Sequence, residues 1–355
     1  MRLSVSVTPH SWSTTKHPHL TALKTIEAAR RADEAGIDTF WVSEDPDGWD
    51  AMAMLSAIAV QTERIKLGTS VVNPFFRHPS LIAASISTID RLSNGRSRLG
   101  LGRGQTEWYQ RALGMDVSHP LDRLEETMHL LRQWWSGDHA AHSDGPFNVQ
   151  GWKRSFGPIQ AIPPIYLAAV GDKAVALAGR LADGVIFNDL ASVAGISTII
   201  DDVKRSARAS GRDPANLTFI ARPRIVITDD PDPVYEGIKD AIAMVYTLPG
   251  MGKLIATESF DVEEILGEVR RVMKTEEVLR QGGAFREMRA VGDLPEARKL
   301  IPSELIAELA FVGTIDEIRP RIQAYEAIGV SEVTWRLGDM TKSISWDDAA
   351  LLLRK

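Results

Sequence analysis

A chain of 355 residues can form one large barrel or two smaller domains, and 44% hydrophobic with 25% charged residues is ordinary for a globular protein. The formal charge of −6 gives no hint of nucleic-acid binding, and the absence of cysteine excludes disulfides and thiolate metal sites. No apolar run approaches the ~20 residues that span a bilayer, and Met1-Arg2-Leu3-Ser4-Val5 reads as a strand rather than a signal peptide, so a soluble, cytoplasmic protein without nucleic-acid or membrane partners is expected.

Strands and helices alternate from the first residue. Arg2 to Thr8 alternates apolar and polar and reads as the first strand. Leu20 to Ala35 follows as a helix with Leu23, Ile26 and Ala29 inward and Gly36 at its C-terminal cap. Thr39 to Ser43 is the second strand and Asp50 to Thr62 the second helix. Ile65 to Ser70 is the third strand. Arg77-His78-Pro79 then opens a helix carrying Leu81, Ile82, Ile86 and Ile89 at helical spacing, and Asn94-Gly95 ends it. Ser97 to Gly102 is the fourth strand. The next helix, Leu121 to Trp135, has Leu124, Met128, Leu131 and Trp135 on one stripe, and 136–163 is loop-like.

Ile165 to Ala169, Gly184 to Asn188 and Leu217 to Ile227 are strands five to seven, with helices at Asp172 to Ala182 and Ile196 to Arg208. The rhythm breaks over roughly residues 230–310, which is strongly helical. It is an insertion between the seventh strand and its helix, placed either over the barrel mouth, as a lid or oligomer surface, or at the periphery. Thr314-Ile315-Asp316-Glu317 is a capping box that starts the helix carrying Ile318, Ile322 and Tyr325. Val333 to Leu337 is the eighth strand, and Trp346 to Leu353 a closing helix. Eight strands alternating with helices favour a single (β/α)8 TIM barrel over residues 1–355.

In such a barrel function collects at the strand C-termini. These offer His10 and Trp12, then Glu44, Asp45 and Trp49, then Ser70, Val71 and Asn73, then Arg103, Gly104 and Gln105. Val170, Gly171, Asp172 and Lys173 follow the fifth strand, Asn188 and Asp189 the sixth, and Trp335, Arg336 and Asp339 belong to the eighth. The set reads as neutral and aromatic with one prominent cation, which suits a planar redox cofactor better than a hydrolytic metal. His10, Glu44 and Asp45 are the candidates for proton transfer.

Gly100-Leu101-Gly102-Arg103-Gly104 follows the fourth strand rather than the first, so it is not a dinucleotide fingerprint. Its glycines suit close approach of a cofactor to the backbone, and Arg103 can pair with a phosphate or carboxylate, or with a barrel acid. His17-Pro18-His19 lacks partners on the fifth and sixth strands, so no metal is expected. Val170 to Lys173 opens a helix whose amides attract phosphate, and Asp172 at its cap would compete for them.

Leu67-Gly68-Thr69-Ser70-Val71, Arg77-His78-Pro79, Leu92-Ser93-Asn94-Gly95-Arg96 and Gly100-Leu101-Gly102-Arg103-Gly104, in this order and spacing, resemble the luciferase-like monooxygenase superfamily. Pro164 to Asn188 and Phe311 to Val333 extend the resemblance over most of the chain outside roughly residues 230–310. It implies a barrel that binds a deazaflavin or a flavin at its mouth; a homo-oligomer (dimer) is expected, its state not fixed by the sequence. On that footing the chain is a coenzyme F420-dependent oxidoreductase passing hydride to or from a small organic molecule. The alternatives are an FMN-dependent monooxygenase served by a flavin reductase and a non-catalytic flavin-binding barrel. The resemblance also implies a cis peptide at Ser70-Val71 behind the cofactor ring and a role for Val170 to Lys173 at its phosphate-bearing tail. Asp45 stands where deazaflavin dehydrogenases carry a proton-accepting histidine, and Gln105 where some carry glutamate, which argues against the usual sugar or alcohol dehydrogenase.

Overall fold

The computed structural model describes residues 1–8, 18–45, 48–104, 106–283 and 285–340. Eight strands, β1 (Arg2–Val7), β2 (Thr39–Val42), β3 (Lys66–Thr69), β4 (Ser97–Leu101), β5 (Ile165–Ala168), β6 (Gly184–Ile186), β7 (Thr218–Ala221) and β8 (Glu332–Arg336), close into a parallel barrel. β1 pairs with β2 on one side and with β8 on the other, so the barrel leaves no open edge.

The outer helices start where the sequence supplies caps. For α1 (Pro18–Glu34) and α2 (Ala51–Ala59), the second is capped by the Asp50 carboxylate, which accepts from the Met52 and Ala53 amides. α3 (Pro79–Leu92) has proline in its first turn and the His78 ring accepting from the Ser80 amide. The capping box at Thr314 and Glu317 is formed and opens the Ile315–Ala327 helix. His10, Gln105 and the closing helix expected at Trp346 to Leu353 lie outside the described residues.

Four expectations are corrected. Leu23 is 60% exposed, because α1 turns its small residues Thr25, Ala28, Ala29 and Ala32 to the barrel, where they permit close packing. Leu81 likewise lies outward while Ile82, Ile86 and Ile89 are buried. The region 136–163 contains an antiparallel pair, Ala140–Ser143 with Val149–Lys153, tied to the preceding helix by Trp134 Nε1 donating to Trp152 O at 2.9 Å. The expected seventh strand is two strands: after β7, Arg222-Pro223-Arg224 leaves the barrel, and Ile225–Ile227 pairs outside it with Phe311–Gly313. Proline cannot donate to a ladder, so Pro223 is where the run divides.

The helices between Asp232 and Leu309 form the insertion. It grips the loop after β6: the Leu190 amide donates to Tyr246 Oη at 2.8 Å, the Ser192 amide donates to Leu254 O at 3.1 Å, and Ser192 Oγ donates to Ala256 O. It also reaches the helix after β4, α4 (Thr106–Leu113), through an Arg111–Glu287 ion pair at 3.5 Å. These contacts lie at the exits of β4 and β6, on the same end of the barrel.

Side chains alternate across each strand, so every second residue points to the axis. The floor of the interior is a buried polar network. Glu332 on β8 accepts from Ser4 Oγ at 2.6 Å, Trp41 Nε1 at 2.8 Å and Arg98 Nη1 at 2.8 Å. Arg98 also donates to Tyr166 Oη at 2.9 Å and lies over the Trp41 and Tyr166 rings. Gly68 makes this possible, since a Cβ there would fall 2.3 Å from the Trp41 ring.

Outside the barrel, Asp33 at the end of α1 accepts from the Glu63, Arg64 and Ile65 amides and fixes the entry to β3. Burial works to raise its pKa, but these three amides and Arg64 pull it below the ordinary carboxylate value of 3.8. A depressed folded pKa gives stability that is present above the unfolded pKa and lost as pH falls through the folded one. Asp33→Asn is therefore expected to cost about 1–2 kcal/mol at pH 7 and to lose less further stability than wild type below about pH 4. Urea unfolding at stepped pH checks this; parallel acid limbs in the two proteins would remove the role.

Candidate active site

Above the polar floor, Trp41, Tyr166, Ile186 and Ile220 form a small apolar plug on the axis, and Val71 packs on it. Carrying the alternation one step further up each strand gives the residues that ring the mouth. From Trp41, Gly68, Gly100 and Tyr166 it leads to Ser43, Ser70, Gly102 and Ala168, all small. From Ile186, Ile220 and Thr334 it leads to Asn188, Arg222 and Arg336. One half of the mouth is thus lined by small residues around Val71, and the other is polar and cationic.

On this side a threonine takes over part of the strand pairing. β3 and β4 pair at Leu67–Ser97 and Gly68–Arg98, and the pairing resumes at Val72–Leu101. In between, Thr69 Oγ1 donates to Gly100 O at 2.9 Å and accepts from the Gly100 amide at 3.0 Å. The Ser70–Val71 peptide is cis, as the resemblance implied. Ser70 O accepts from Ser43 Oγ at 2.7 Å and from Arg222 Nη1 at 3.3 Å.

Several candidates have different duties from those expected. Gly102 lacks a Cβ to make room for protein rather than for a ligand: a Cβ would lie 2.6 Å from Val71 Cγ2 and 3.3 Å from Ala168 Cβ. At Gly104, with φ of 65°, a Cβ would lie 2.3 Å from Tyr109 Oη. Asn73 is buried; its Oδ1 accepts from the Phe75 and Phe76 amides, and its Nδ2 donates to Tyr109 Oη at 3.1 Å. It shapes the β3 exit from below the surface. Both oxygens of Glu44 accept from Arg77, at 2.7–3.1 Å, and Arg77 also meets Asp50 at 2.7 Å. Burial works against the Arg77 charge, and the two carboxylates more than offset it, raising its pKa. This geometry makes Glu44 an anchor for the segment leading into α3.

Asp45 is half-buried and lies in the field of Arg222. Arg103 is exposed on the rim of the β4 exit. After β5, the helix α6, which runs Asp172–Leu181 and follows α5 (Pro120–Trp135), has Gly171 as its N-cap with no side-chain capping bond. Asp172 does not block the amides as expected: its carboxylate turns away to Lys253, at 2.9 Å, which also binds Asp202 at 2.8 Å. Val170 is half-buried, and Gly171 and Lys173 are exposed.

The reading of one prominent cation is also corrected. Arg222 and Arg224 follow β7, and Arg336 ends β8. Arg336 pairs with Asp189 after β6. Burial tends to raise the Asp189 pKa, but Arg336, Arg222 and Arg224 together hold it below the ordinary value. Trp335, expected at the mouth, is fully buried on the outer face of β8 and donates to Ile225 O at 3.0 Å. The expected strand through Leu217 to Ile227 hid the two β7 arginines; the Arg-Pro-Arg break two residues beyond inward-facing Ile220 was the signal available.

A closed parallel barrel with small residues facing a charged rim at its C-terminal end is the layout of a barrel enzyme. Residues 1–332 match the family model of the luciferase-like monooxygenases, and the chain belongs to that family. It is 31% identical over 321 residues to a Mycobacterium tuberculosis protein named as a coenzyme F420-dependent oxidoreductase, covering 86% of this chain and 88% of that one. It is 26% identical over 302 residues to 5,10-methylenetetrahydromethanopterin reductase of Archaeoglobus fulgidus, covering 85% and 86%. The coenzyme F420-dependent tetrahydromethanopterin reductase of Methanopyrus kandleri has the same fold, with a TM-score of 0.74 at 20% identity over 99% of this chain and 96% of that one. Among the described residues no helix is long and apolar enough to cross a membrane.

Proposed function

We propose that the protein is an F420-dependent oxidoreductase that moves hydride between the deazaflavin and a small organic substrate. The observation that carries this reading is the small-residue side of the mouth, where Ser43, Ser70 and Ala168 lie around Val71 above an apolar plug, a surface that suits a flat ring. The names of the two curated relatives favour F420 over FMN. Bound there, a deazaflavin supplies a two-electron hydride acceptor or donor.

The protein's own groups divide the remaining work. Ser70 and Val71 seat the ring, Gly102 lets Val71 pack against β4, and Asn73 and Gly104 fix the two loops that hold them. The uncapped first turn of α6, from Val170 to Lys173, offers amides to the phosphate-bearing tail, and Arg103 contacts the cofactor from the rim. Asp45 takes the proton released when a substrate hydroxyl is oxidised, or returns it in reduction, and His10, which follows β1 in the sequence, is a further candidate for that role. The insertion closes over the β4–β6 exits as a lid.

Arg103→Ala is expected to weaken F420 binding at least tenfold, since losing a charge-assisted pair costs on the order of 1.5–3 kcal/mol. Fluorescence quenching of F420 by wild type and variant measures it; equal dissociation constants would give Arg103 a purely structural duty. Reduction of bound F420 by members of an alcohol and hydroxy-acid panel tests the enzyme reading as such. Turnover supports it, and binding without turnover on any substrate would favour a storage or sensing barrel.

A further inference from the structure

We propose that the β7–β8 side of the mouth is an oxyanion subsite, so that the substrate carries a carboxylate or a phosphate. This rests on the reading of the mouth as an F420 site, and it names the class of molecule that would share that site with the cofactor.

Among the described residues three guanidiniums, Arg222, Arg224 and Arg336, act on the Asp189 carboxylate, and Asp45 lies in the field of Arg222. Arg336 is committed to Asp189 as an ion pair. Arg222 is not so matched. Its Nη1 donates to the neutral Ser70 carbonyl at 3.3 Å, and its Nε is buried without a hydrogen-bond partner among the described residues. Arg222 is half-buried, and a buried guanidinium N–H left without a partner carries a cost that an arriving anion would relieve. The guanidinium fork suits two oxygens of one carboxylate or phosphate.

Position separates this subsite from the cofactor's tail. The uncapped α6 turn follows β5, whereas Arg222 and Arg336 follow β7 and end β8, two and three strands further round the barrel. Arg222 also touches Ser70, next to Val71, so an anion on Arg222 would hold the rest of its molecule over Val71 and beside Asp45. The insertion reinforces the site, because Tyr246 lies against the same cluster and its phenol is kept protonated by burial.

Inorganic phosphate and succinate, titrated calorimetrically into the full chain with and without saturating F420, read the subsite. The expected result is that at least one binds while F420 is in place, that Arg222→Gln weakens it at least tenfold, and that Arg222→Lys recovers part of the loss. Phosphate binding alone marks a phosphorylated substrate, and succinate binding a carboxylated one. If Arg222→Gln does not fold, Arg224→Gln is expected to weaken the same anion by a similar factor. No binding of either anion, undiminished binding by the folded variant, or displacement of F420 by the anion would overturn the proposal. Should F420 itself fail to bind, the cofactor reading falls, and the titration without F420 still decides the subsite.

Discussion

Glu332→Ala is expected to cost about 3–5 kcal/mol of folding stability, the largest loss from any single truncation in the barrel interior. Glu332 is fully buried and accepts from Ser4, Trp41 and Arg98. Its removal strands the Arg98 guanidinium, whose side chain is 4% exposed, and leaves the Trp41 indole N–H without its acceptor. The penalty is mainly that of the orphaned charge rather than the value of the pair. Replacing both partners at once, Arg98→Met with Glu332→Leu, should therefore cost less than the sum of the two single changes. Denaturant unfolding of the four proteins measures this. A loss under about 1 kcal/mol for Glu332→Ala, against the range for a broken buried pair, would mean that the floor network is not a main support of the barrel.

The second large effect is expected at Gly102. A valine there meets Val71 and Ala168 at once, since even a Cβ would sit 2.6 Å from Val71 Cγ2. Overpacking of this kind costs about 1–3 kcal/mol of stability. The branched side chain would also displace Val71, the residue proposed to back the cofactor ring. F420 affinity should fall a hundredfold or more, about 2.8 kcal/mol at 1.4 kcal/mol per decade. A thermal melt confirms that the variant is folded before binding is measured. Tight F420 binding by a folded Gly102→Val protein would move the ring away from Val71.

The barrel was readable because its strands are short apolar runs with turn residues at both ends, as in Ile65 to Ser70, and its helices carry local caps such as Thr314 with Glu317. Local signals of this kind act within one turn of chain. What escaped depends on distance. Arg77 holds Glu44 from 33 residues away, so nothing near Glu44 marks it as an ion-pair anchor. The Ala140–Ser143 and Val149–Lys153 pair is mostly polar and exposed and has no apolar alternation to find. Asp172 looked like a cap from its position at a helix start, but Lys253 on the insertion draws its carboxylate away. At the mouth, the small residues of β2 to β5 follow from period-two alternation once the strands are placed. The arginines after β7 do not, because an apolar run on each side of Arg-Pro-Arg reads as one strand until Pro223 is seen to divide it.

The central claim is that the small-residue side of the mouth around Val71 binds a deazaflavin, and a side-by-side titration of F420 and FMN with the purified protein tests it most directly. The result expected is saturable quenching of F420 fluorescence with an affinity at least tenfold above that for FMN, a difference of about 1.4 kcal/mol. Tighter binding of FMN, or no binding of F420 at high micromolar concentration, would contradict it.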